Sequence, residues 1–585
     1  MISLIPLVVL VPLGSAALAL ALPGRRRAQQ TITVAALAIV VALSAVFMAW
    51  VDQHGTLVMQ VGGWAAPFGI SLVVDRLSAL MLLISAVVLL GVLLFSLGQG
   101  LADGDDETPV SIYYPTYLVL GAGVCNAFIA GDLFNLYVGF EILLVASYVL
   151  ITLGGTGPRI RAGVTYVVVS LVSSILFLAS IALIYAATGT VNIAQLTLRI
   201  AELPSNLQLL LNLALLIAFG VKAAVFPLAF WLPDSYPTAP APVTAVFAGL
   251  LTKVGVYAII RSQTQLFPFS NIDKLLLVIA ALTLLVGILG AVSQLDIKRL
   301  LSFTLISHIG YLIFGIGLST SMGYAATIFY ISHHIVVQTT LFLAVGLLER
   351  HAGTTSLTSL GGMLRAAPFV AVLFFIPMLN LGGIPPFSGF IGKLGLFTAA
   401  ADLGTPGAYW LIGVGALVSL LTLYALARAW TLAFWRPRDT ALAGSTSTAA
   451  TSPTTATAPT PTITATAATP ATSGGSTEAA MLKGREAALL EHLHDAPDAL
   501  PLRDQRDTPT LMVAATTGMV IFSLLLTVFA GPLYDYATRA GERIVEPGIL
   551  VAEVLEQQTS AGNGGSGETV VEGYDPLSGE VGEGS

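Results

Sequence analysis

The chain has 585 residues, is 56% hydrophobic and only 10% charged, and carries a formal net charge of −7; its mean hydropathy is +0.87. Soluble domains carry about a quarter charged residues, so these charges are too few for a water-soluble surface and the bilayer must be the solvent for most of the chain. The single cysteine, Cys125, excludes disulfides and Cys-ligated zinc or iron–sulfur sites, and no basic cluster suggests nucleic acid.

Apolar runs of about twenty residues recur along the chain, each long enough to cross roughly 30 Å of hydrocarbon as a helix. They occupy residues 1–22, 31–51, 74–98, 114–130, 132–153, 162–187, 205–228, 241–261, 273–294, 300–318, 324–348, 367–399, 407–434 and 510–534. This pattern predicts an all-α, polytopic membrane protein of about fourteen transmembrane helices. Arg25, Arg26 and Arg27 follow the first run, which is the reverse of a signal peptide, so we expect a retained helix.

The distribution of Lys and Arg predicts the orientation. If the loops alternate from an external N-terminus, most basic residues fall on one side, including Arg25, Arg159 and Lys298, whereas few, such as Arg199 and Lys274, fall on the other. Positive loops mark the cytoplasmic side. We therefore expect a multi-pass protein of the bacterial inner membrane with both termini on the external side.

Two segments do not read as membrane helices. Residues 439–509 begin with a stretch of Ala, Thr, Ser, Pro and Gly, a composition that cannot bury a core. We interpret this segment as a low-complexity cytoplasmic tether ahead of helix 14 at 510–534. Residues 535–585 form an acidic, Gly-rich tail, and we expect its end, after 560, to be disordered.

Two predicted helices contain internal prolines. Helix 7 has Pro227 just beyond Lys222, and helix 12 has Pro385 and Pro386 ahead of Lys393. Proline removes a backbone donor, and helix breaks in lipid persist only where protein or water covers them. Helices 7 and 12 are an odd number apart and run in opposite directions, which is typical of inverted repeats around a midplane ion path. We predict N-terminal helices 1–3 at 1–113, one repeat of helices 4–8 at 114–261, and a second repeat of helices 9–13 at 273–435.

Ionisable residues interrupt the apolar runs of both predicted repeats. Each is costly inside a membrane, by about 2.5–3.5 kcal/mol on insertion scales, so such residues usually have a function. The candidate set is Glu141 in helix 5, Lys222 in helix 7, Lys253 in helix 8, His308 in helix 10, His333 and His334 in helix 11, and Lys393 in helix 12. Any one of them could be an anchor or a helix–helix contact, but a purely structural role for the whole set is the weaker explanation.

Burial of a lysine disfavours its charge, and a nearby carboxylate restores it. A buried lysine can therefore gain and lose a proton near neutral pH if a carboxylate approaches or withdraws. Glu141 and Lys222 would form such a pair, Lys253 and the histidines would relay protons, and Lys393 would exchange protons with solvent at the far end. Histidine titrates in this range without a large shift.

Other polar residues carry weaker signals. Asp75 and Arg76 read as an interfacial salt pair, and Asp132 and Asp234 as possible ion-access groups. The sequence has no phosphate loop, nucleotide fingerprint or haem or metal spacing, so we expect no cofactor, and it does not identify a metal site.

Five stretches carry a family resemblance. They read GDLFNLYVGFEILLVASY around Glu141, VKAAVFPLAFWLPDSYPTAPAPVTAVFAGLLTKVGVYAIIR around Lys222 and Lys253, SQLDIKRLLSFTLISHIGYL around His308, HHIVVQTTLFLAVG, and GGIPPFSGFIGK before Lys393. Over about residues 1–435 the chain resembles the antiporter-like subunits shared by complex I and the Mrp cation/proton antiporters. The stretch GGWAAPFGISLVVDRLSALML looks like the D subunits of the Mrp antiporters in particular.

The resemblance implies a fourteen-helix fold with two inverted five-helix repeats. It also implies that Glu141 and Lys222 are a coupling pair, Lys253 the central relay and Lys393 the exit group. Many relatives carry a lysine shortly after the histidine pair of helix 11, where this chain has Gln338. Glutamine holds no charge, so His333 or His334 would have to carry the relay there.

The implied function is proton translocation within a multisubunit Na+/H+ antiporter, a secondary transporter and not an enzyme, with other membrane subunits, the lipid bilayer, protons and Na+ as partners. The alternative is a proton-pumping membrane subunit of complex I or of a membrane-bound hydrogenase, because the same buried charges serve both. A scaffold whose charges only join helices is a third hypothesis.

Overall fold

The computed structural model describes residues 1–99, 112–268, 272–437 and 509–562. In chain order its helices are α1 (Leu7–Leu20), α2 (Arg26–His54), α3 (Arg76–Gln99), α4 (Tyr113–Ile129), α5 (Leu133–Thr152), α6 (Gly157–Thr188), α7 (Ile193–Ala201), α8 (Ser205–Ala223), α9 (Leu232–Ser235), α10 (Ala241–Val246), α11 (Thr252–Arg261), α12 (Asp273–Ser293), α13 (Ile297–Gly317), α14 (Ser321–Ala352), α15 (Met363–Ala366), α16 (Pro368–Gly382), α17 (Ser388–Leu403), α18 (Pro406–Trp430), α19 (Thr510–Val528), α20 (Ala530–Ile544) and α21 (Pro547–Gly562). Strands β1 (Leu57–Gln60) and β2 (Ser71–Val74) form an antiparallel hairpin between α2 and α3. The predicted tether lies outside the described residues apart from residue 509, as does the tail from 563 onwards.

Within the described ranges, twelve helices are long and apolar enough to cross a membrane. This confirms an all-α, multi-pass membrane protein. Two predicted spans fall below that length: α4 has 17 residues, and the run at 367–399 divides into α16 with 15 residues and α17 with 16. The count of fourteen therefore stays a prediction.

Helical structure extends beyond the predicted helix 14 at 510–534. The α20 helix begins inside that run and ends at Ile544, and α21 extends to Gly562. Residues 535–562 mix polar and apolar side chains, and a search for long apolar runs does not detect helices of this composition. The α20 helix packs against the beginning of α14, where Gly541 lies against Ala325.

Three spans form the enclosed centre of the molecule. The continuous helix Ala241–Leu266, which includes α10, α11 and two π-helical turns, is buried along its whole apolar window, and so is α14; α13 is almost as enclosed. The other spans expose about a third or more of their windows to the surroundings. A charged side chain on a central helix is therefore shielded from lipid by protein.

Several of the described helices begin at a residue whose side chain accepts from a free backbone donor. Asp132, Asp296, Thr320 and Thr405 each accept a hydrogen bond from the backbone N–H three residues further on. In a membrane these caps matter because water is not available for the first turn of a helix.

Both predicted helix breaks are present. The α8 helix ends at Ala223 and is followed by Ala224 in the left-handed region (φ 56°), whereas α16 is followed by Gly383, also left-handed (φ 80°). Side chains of other helices satisfy the backbone groups that the breaks release. Thr283 Oγ1 accepts from Phe226 N at 3.2 Å, and Thr527 Oγ1 accepts from Ser388 N at 3.0 Å.

The two halves of the core share several local features. The helices α6 and α14 both have 32 residues and both end at a left-handed glycine, Gly189 (φ 73°) and Gly353 (φ 72°). Just beyond each, a residue bridges back to the aspartate that caps the second helix of its half: Asn192 to Asp132, and Ser356 to Asp296. The same connection is thus built twice, which supports the predicted pair of repeats.

Candidate functional site

Lys222 lies at the end of α8, where the helix breaks, and is 8% exposed. Its Nζ donates to Ser174 Oγ of α6 at 3.1 Å and lies 5.0 Å from the centre of the Phe140 ring. The ammonium lines a cavity of about 20 Å³ together with polar groups that include Ser170 and Tyr236. A volume of this size holds roughly one water molecule.

Glu141 lies on α5, half-buried, next to Phe140, whose ring is close to Lys222. Its charge acts on the Lys222 ammonium, but that ammonium donates to Ser174, and the buried Oε1 of Glu141 has no hydrogen-bond partner among the described residues. The carboxylate and the ammonium are therefore coupled at a distance and not held in a closed ion pair. Such a pair can tighten or separate without breaking a direct hydrogen bond.

Lys253 lies in the fully enclosed helix and has no exposed surface. Its Nζ donates to the carbonyl oxygen of Ala248 at 2.5 Å, within the π-helical turn Phe247–Leu251. A π turn shifts the backbone register, and such turns are frequent at functional sites. A backbone carbonyl oxygen of this turn therefore accepts from the lysine ammonium, in place of a carboxylate.

The helices of Lys222 and Lys253 approach each other very closely. A Cβ atom on Gly255 of α11 would lie 2.7 Å from the backbone nitrogen of Ala223, which is closer than real Cβ contacts. The absence of a side chain at Gly255 therefore permits the packing that brings the two lysine-bearing helices together.

His308 and His334 stack against each other between α13 and α14. Their ring centroids are 5.1 Å apart, with an interplanar angle of 18°. Tyr330 OH and His308 Nδ1 share a hydrogen bond of 2.7 Å, whereas neither nitrogen of His334 has a partner in the described part of the chain. Both rings are fully buried.

The charges of Lys253 and Lys393 both act on His308 and on His334. The two lysines belong to different predicted repeats. Of the predicted residues, the structure therefore brings together five whose charges act on one another: Lys253, His308, His333, His334 and Lys393.

His333 faces a different partner from its neighbour His334. Its Nδ1 shares a hydrogen bond of 2.9 Å with Ser388 Oγ, at the first residue of α17, and the charge of Lys393 acts on its ring. Its Nε2 is buried, and no residue that the structure describes bonds to it.

Lys393 lies in the second half of the broken helix, as predicted. Its Nζ donates to the carbonyl oxygens of Leu381 and Gly382, both at 3.2 Å, and to Ser419 Oγ at 2.9 Å. The carbonyls are those that α16 leaves free where it ends, so the helix break supplies the acceptors for the ammonium. Lys393 is only 3% exposed, which places it inside the protein and not at an open surface.

Gln338 lies one helical turn beyond His334. Its Nε2 donates to the carbonyl oxygen of Leu301 on α13 at 2.8 Å, and its buried Oε1 has no partner within the described ranges. The residue thus joins α14 to α13 and presents an uncharged acceptor to the interior.

The expected pair between Asp75 and Arg76 is not formed. Asp75 is instead held by two 2.6 Å hydrogen bonds from Arg261, the last residue of the apolar run 241–261, and Arg76 pairs with Asp52. Burial raises the pKa of Asp75, but the charge of Arg261 and its hydrogen bonds outweigh burial, so the pKa lies below its ordinary value. The carboxylate stays ionised and acts as a clamp between α3 and α11.

Asp132 and Asp234 have contrasting surroundings. Asp234 is exposed and pairs with Arg299 at 3.1 Å. Asp132 is 4% exposed and caps α5 through Oδ1, whereas its buried Oδ2 has no partner among the residues described. Burial raises the pKa of Asp132 to about 6, although backbone donors oppose the effect.

Comparison with known proteins places these features in a family. Residues 130–422 match the family described as NADH:quinone oxidoreductase/Mrp antiporter, transmembrane. This range contains every residue of the candidate site, from Glu141 to Lys393.

The chain is similar to two curated antiporter subunits. It is 43% identical to the D subunit of the Na(+)/H(+) antiporter of Alkalihalophilus pseudofirmus over 388 residues, which are 66% of this chain and 77% of that protein. It is 37% identical to the corresponding D subunit of Bacillus subtilis over 430 residues, 73% of this chain and 86% of that protein.

The fold is also found in one chain of a solved complex. A chain in the structure of the Mrp complex from Dietzia sp. DQ12-45-1b superposes with a TM-score of 0.79 at 32% identity, covering 95% of this chain and 99% of that one. The family match, the relatives and this structure agree with the resemblance read from the sequence. The chain belongs to the NADH:quinone oxidoreductase/Mrp antiporter transmembrane family and, within it, to the D subunits of Na+/H+ antiporters.

Proposed function

We propose that this protein is the D-type subunit of a multisubunit Na+/H+ antiporter and that it moves protons along the buried residues Glu141, Lys222, Lys253, His308, His334 and Lys393, with His333 beside them. The observation that carries the proposal is the stacked pair of His308 and His334, buried together with Lys253 and Lys393 inside the protein. Four ionisable side chains on the most enclosed helices and beside a helix break are difficult to explain by stability alone, because each is expensive to bury.

The Glu141–Lys222 pair is the proposed coupling element. The Lys222 ammonium is bonded to Ser174 and not to Glu141, so a small movement of α5 or α8 changes the electrostatic support for its charge without breaking a salt bridge. When the carboxylate withdraws, burial favours release of the proton. The neighbouring cavity can hold a water that receives it.

A membrane component of complex I or of a hydrogenase remains the alternative. The buried charges suit either function, because the energy source lies in other subunits, and the family description includes both classes. The 43% identity to an antiporter D subunit and the 32% identity to a chain of an Mrp complex support the antiporter. Other membrane subunits of such a complex are then its partners.

The membrane arrangement is part of the proposal. Helices 4–8 at 114–261 and 9–13 at 273–435 would be inverted repeats, supported by the twin connections at Asp132 and Asp296. Residues 1–113 would be the N-terminal helices, 439–509 a cytoplasmic tether, 510–534 helix 14 and 535–585 a C-terminal extension on the external side. The positive loops support a cell-membrane protein with both termini outside.

Substitution of Lys222 tests the proposal. In everted vesicles that contain the assembled antiporter, Lys222→Ala should abolish Na+-driven proton movement, measured with a pH-sensitive dye, while the complex still assembles. Lys222→Arg should also fail, because arginine does not release its proton in proteins. The exposed Lys274 provides a control, and Lys274→Ala should keep full exchange.

Wild-type exchange in Lys222→Ala would refute the coupling role. Loss of exchange in Lys274→Ala to the same extent would show that the assay reports any lost lysine and not the buried one.

A further inference from the structure

Three residues are hydrogen-bonded in series across the break between α16 and α17. Asn380 of α16 accepts at Oδ1 from Gly389 N at 3.0 Å and lies 3.2 Å from Ser388 Oγ. Ser388 Oγ in turn lies 2.9 Å from Nδ1 of His333 on α14. All three side chains are buried, so no bulk water competes for these hydrogen bonds.

The backbone amide of Gly389 fixes the orientation of the Asn380 side chain. An N–H group can only donate, so the Asn380 atom that faces it must be the carbonyl oxygen and not the NH2 group. Ser388 Oγ approaches that same oxygen and must therefore donate its hydrogen to it.

A serine hydroxyl has only one hydrogen. Because that hydrogen is directed to Asn380, Ser388 can only accept in its contact with His333, and His333 Nδ1 must carry a proton. In the neutral ring Nε2 is then the unprotonated nitrogen, and it is the buried atom to which no described residue bonds.

The ring is also held in place sterically. A Cβ on Gly389 would lie 3.0 Å from His333 Cε1 and 2.0 Å from the carbonyl oxygen of Asn380. Only glycine permits this approach of α17 to the histidine and to the end of α16. His334, by contrast, has no hydrogen bond at either nitrogen from the described residues, so none of them selects its tautomer.

We propose that Asn380 and Ser388 are positioning residues that hold His333 as its Nδ1–H tautomer, so that this histidine exchanges protons only at Nε2. The inference rests on the proposed proton path. A proton that arrives at Nε2 gives an imidazolium with both nitrogens protonated, and because Nδ1–H stays bonded to Ser388, the proton leaves from Nε2 again. His333 thus takes up and releases its proton at the same nitrogen, whereas His334, whose tautomer none of the described residues selects, can take up a proton at one nitrogen and release it from the other.

Nitrogen NMR tests the tautomer directly. The full-length protein, labelled with ¹⁵N histidine and reconstituted in lipid, would be measured at pH 8, with the His333 signals assigned by their loss in His333→Asn. The wild type should show a protonated Nδ1 and an unprotonated Nε2 for His333. In Asn380→Leu the serine hydroxyl is released to donate, and the proton should move wholly or partly to Nε2.

Two further variants separate this effect from general disruption. Thr527→Val removes the acceptor of Ser388 N but leaves the hydroxyl chain intact, so His333 should keep its Nδ1–H form. Ser388→Ala removes the hydroxyl that bonds to Nδ1 and should also abolish the tautomer preference, which provides a second test if Asn380→Leu does not fold.

A wild-type His333 protonated at Nε2, or a tautomer unchanged in both Asn380→Leu and Ser388→Ala, would overturn the inference. The tautomer measured by NMR does not depend on transport. If the proposed proton path is wrong, the NMR result can therefore still be the predicted one. If the path is correct, Asn380→Leu should also shift the pH profile of exchange, whereas Thr527→Val should not.

Discussion

Asp132 and Asp296 begin equivalent helices, but their second carboxylate oxygens differ. Asp296 Oδ2 accepts a hydrogen bond from the hydroxyl of Thr355, whereas Asp132 Oδ2 is buried and has no partner in the described ranges. The described neighbours of Asp132, such as Asn192 and Asn135, are uncharged. Burial without a charge partner explains why the pKa of Asp132 is raised to about 6.

We predict that Asp132→Asn stabilises the protein at high pH. A folded-state pKa raised above the unfolded one favours the protonated form, so wild-type stability is highest below about pH 4 and falls as pH rises through about 6. Asparagine caps a helix as well as aspartate does and stays neutral. The variant should exceed the wild type by about 3 kcal/mol at pH 8 and match it at pH 4, measured by thermal unfolding in detergent.

Asp296→Asn is the matched control. The two carboxylate oxygens of Asp296 accept from Arg299 N and from the Thr355 hydroxyl, whereas asparagine has only one oxygen. This variant should therefore be no more stable than the wild type at any pH. A less stable Asp132→Asn at pH 8 would show that the Asp132 carboxylate is stabilised in the fold.

His334 and Gln338 test the relay within α14. His334→Ala should remove most exchange, because the charges of lysines from both predicted repeats act on its ring. Adding Gln338→Lys should restore part of the activity, since residue 338 lies one helical turn further along, where many relatives carry a lysine. Na+-driven proton movement in vesicles measures both variants. Full activity in a His333→Ala, His334→Ala double variant would remove α14 from the path.

The α8 and α11 helices, which carry Lys222 and Lys253, are in close contact at Gly255. We predict that Gly255→Ala destabilises the protein by about 1–3 kcal/mol, as overpacking usually does, and lowers exchange sharply, because it pushes Lys222 away from Lys253. A methyl group there meets backbone atoms of Ala223, which cannot rotate aside. Unfolding midpoint and vesicle exchange measure the two effects.

Gly413 of α18 is the control for this substitution. A Cβ there meets nothing within 4 Å among the described residues, so Gly413→Ala should leave exchange unchanged and should not lower stability, because alanine favours a helix over glycine. Equal exchange in the two variants would show that the α8–α11 distance does not matter.

The elements differ in how well the sequence predicts them. Spanning helices and their breaks are predictable because long apolar runs and internal prolines act locally. Most of the α20 helix was not predicted, because it is amphipathic and continues ten residues beyond the apolar run at 510–534. The partner of Asp75 was predicted wrongly because the sequence shows its neighbour Arg76, whereas the actual partner, Arg261, is distant in the chain.

The site was predictable as a set of residues but not as a geometry. Lys222, Lys253 and Lys393 each interrupt an apolar run, so their burial follows from the sequence. Their acceptors could not be predicted, because Ser174, the Ala248 carbonyl and Ser419 come into reach only through helix packing and helix breaks.

The arrangement of the whole molecule fits a sealed proton path. The central residues of the path lie on the three most enclosed spans: Lys253 on the helix Ala241–Leu266, His308 on α13 and His334 on α14. The surrounding helices present their apolar faces outward and separate these side chains from lipid. The proposed path therefore runs across the interior from one predicted repeat to the other.

Lys253 is the residue at which the two halves of that path meet, and its substitution tests the account most directly. The measurement is Na+-driven proton movement in everted vesicles that contain the assembled antiporter with Lys253→Met, a change that keeps most of the side-chain length but removes the proton-carrying group. The account predicts exchange at the background of vesicles without the complex, with assembly intact. Exchange at the wild-type rate would contradict a continuous path through the centre of this protein.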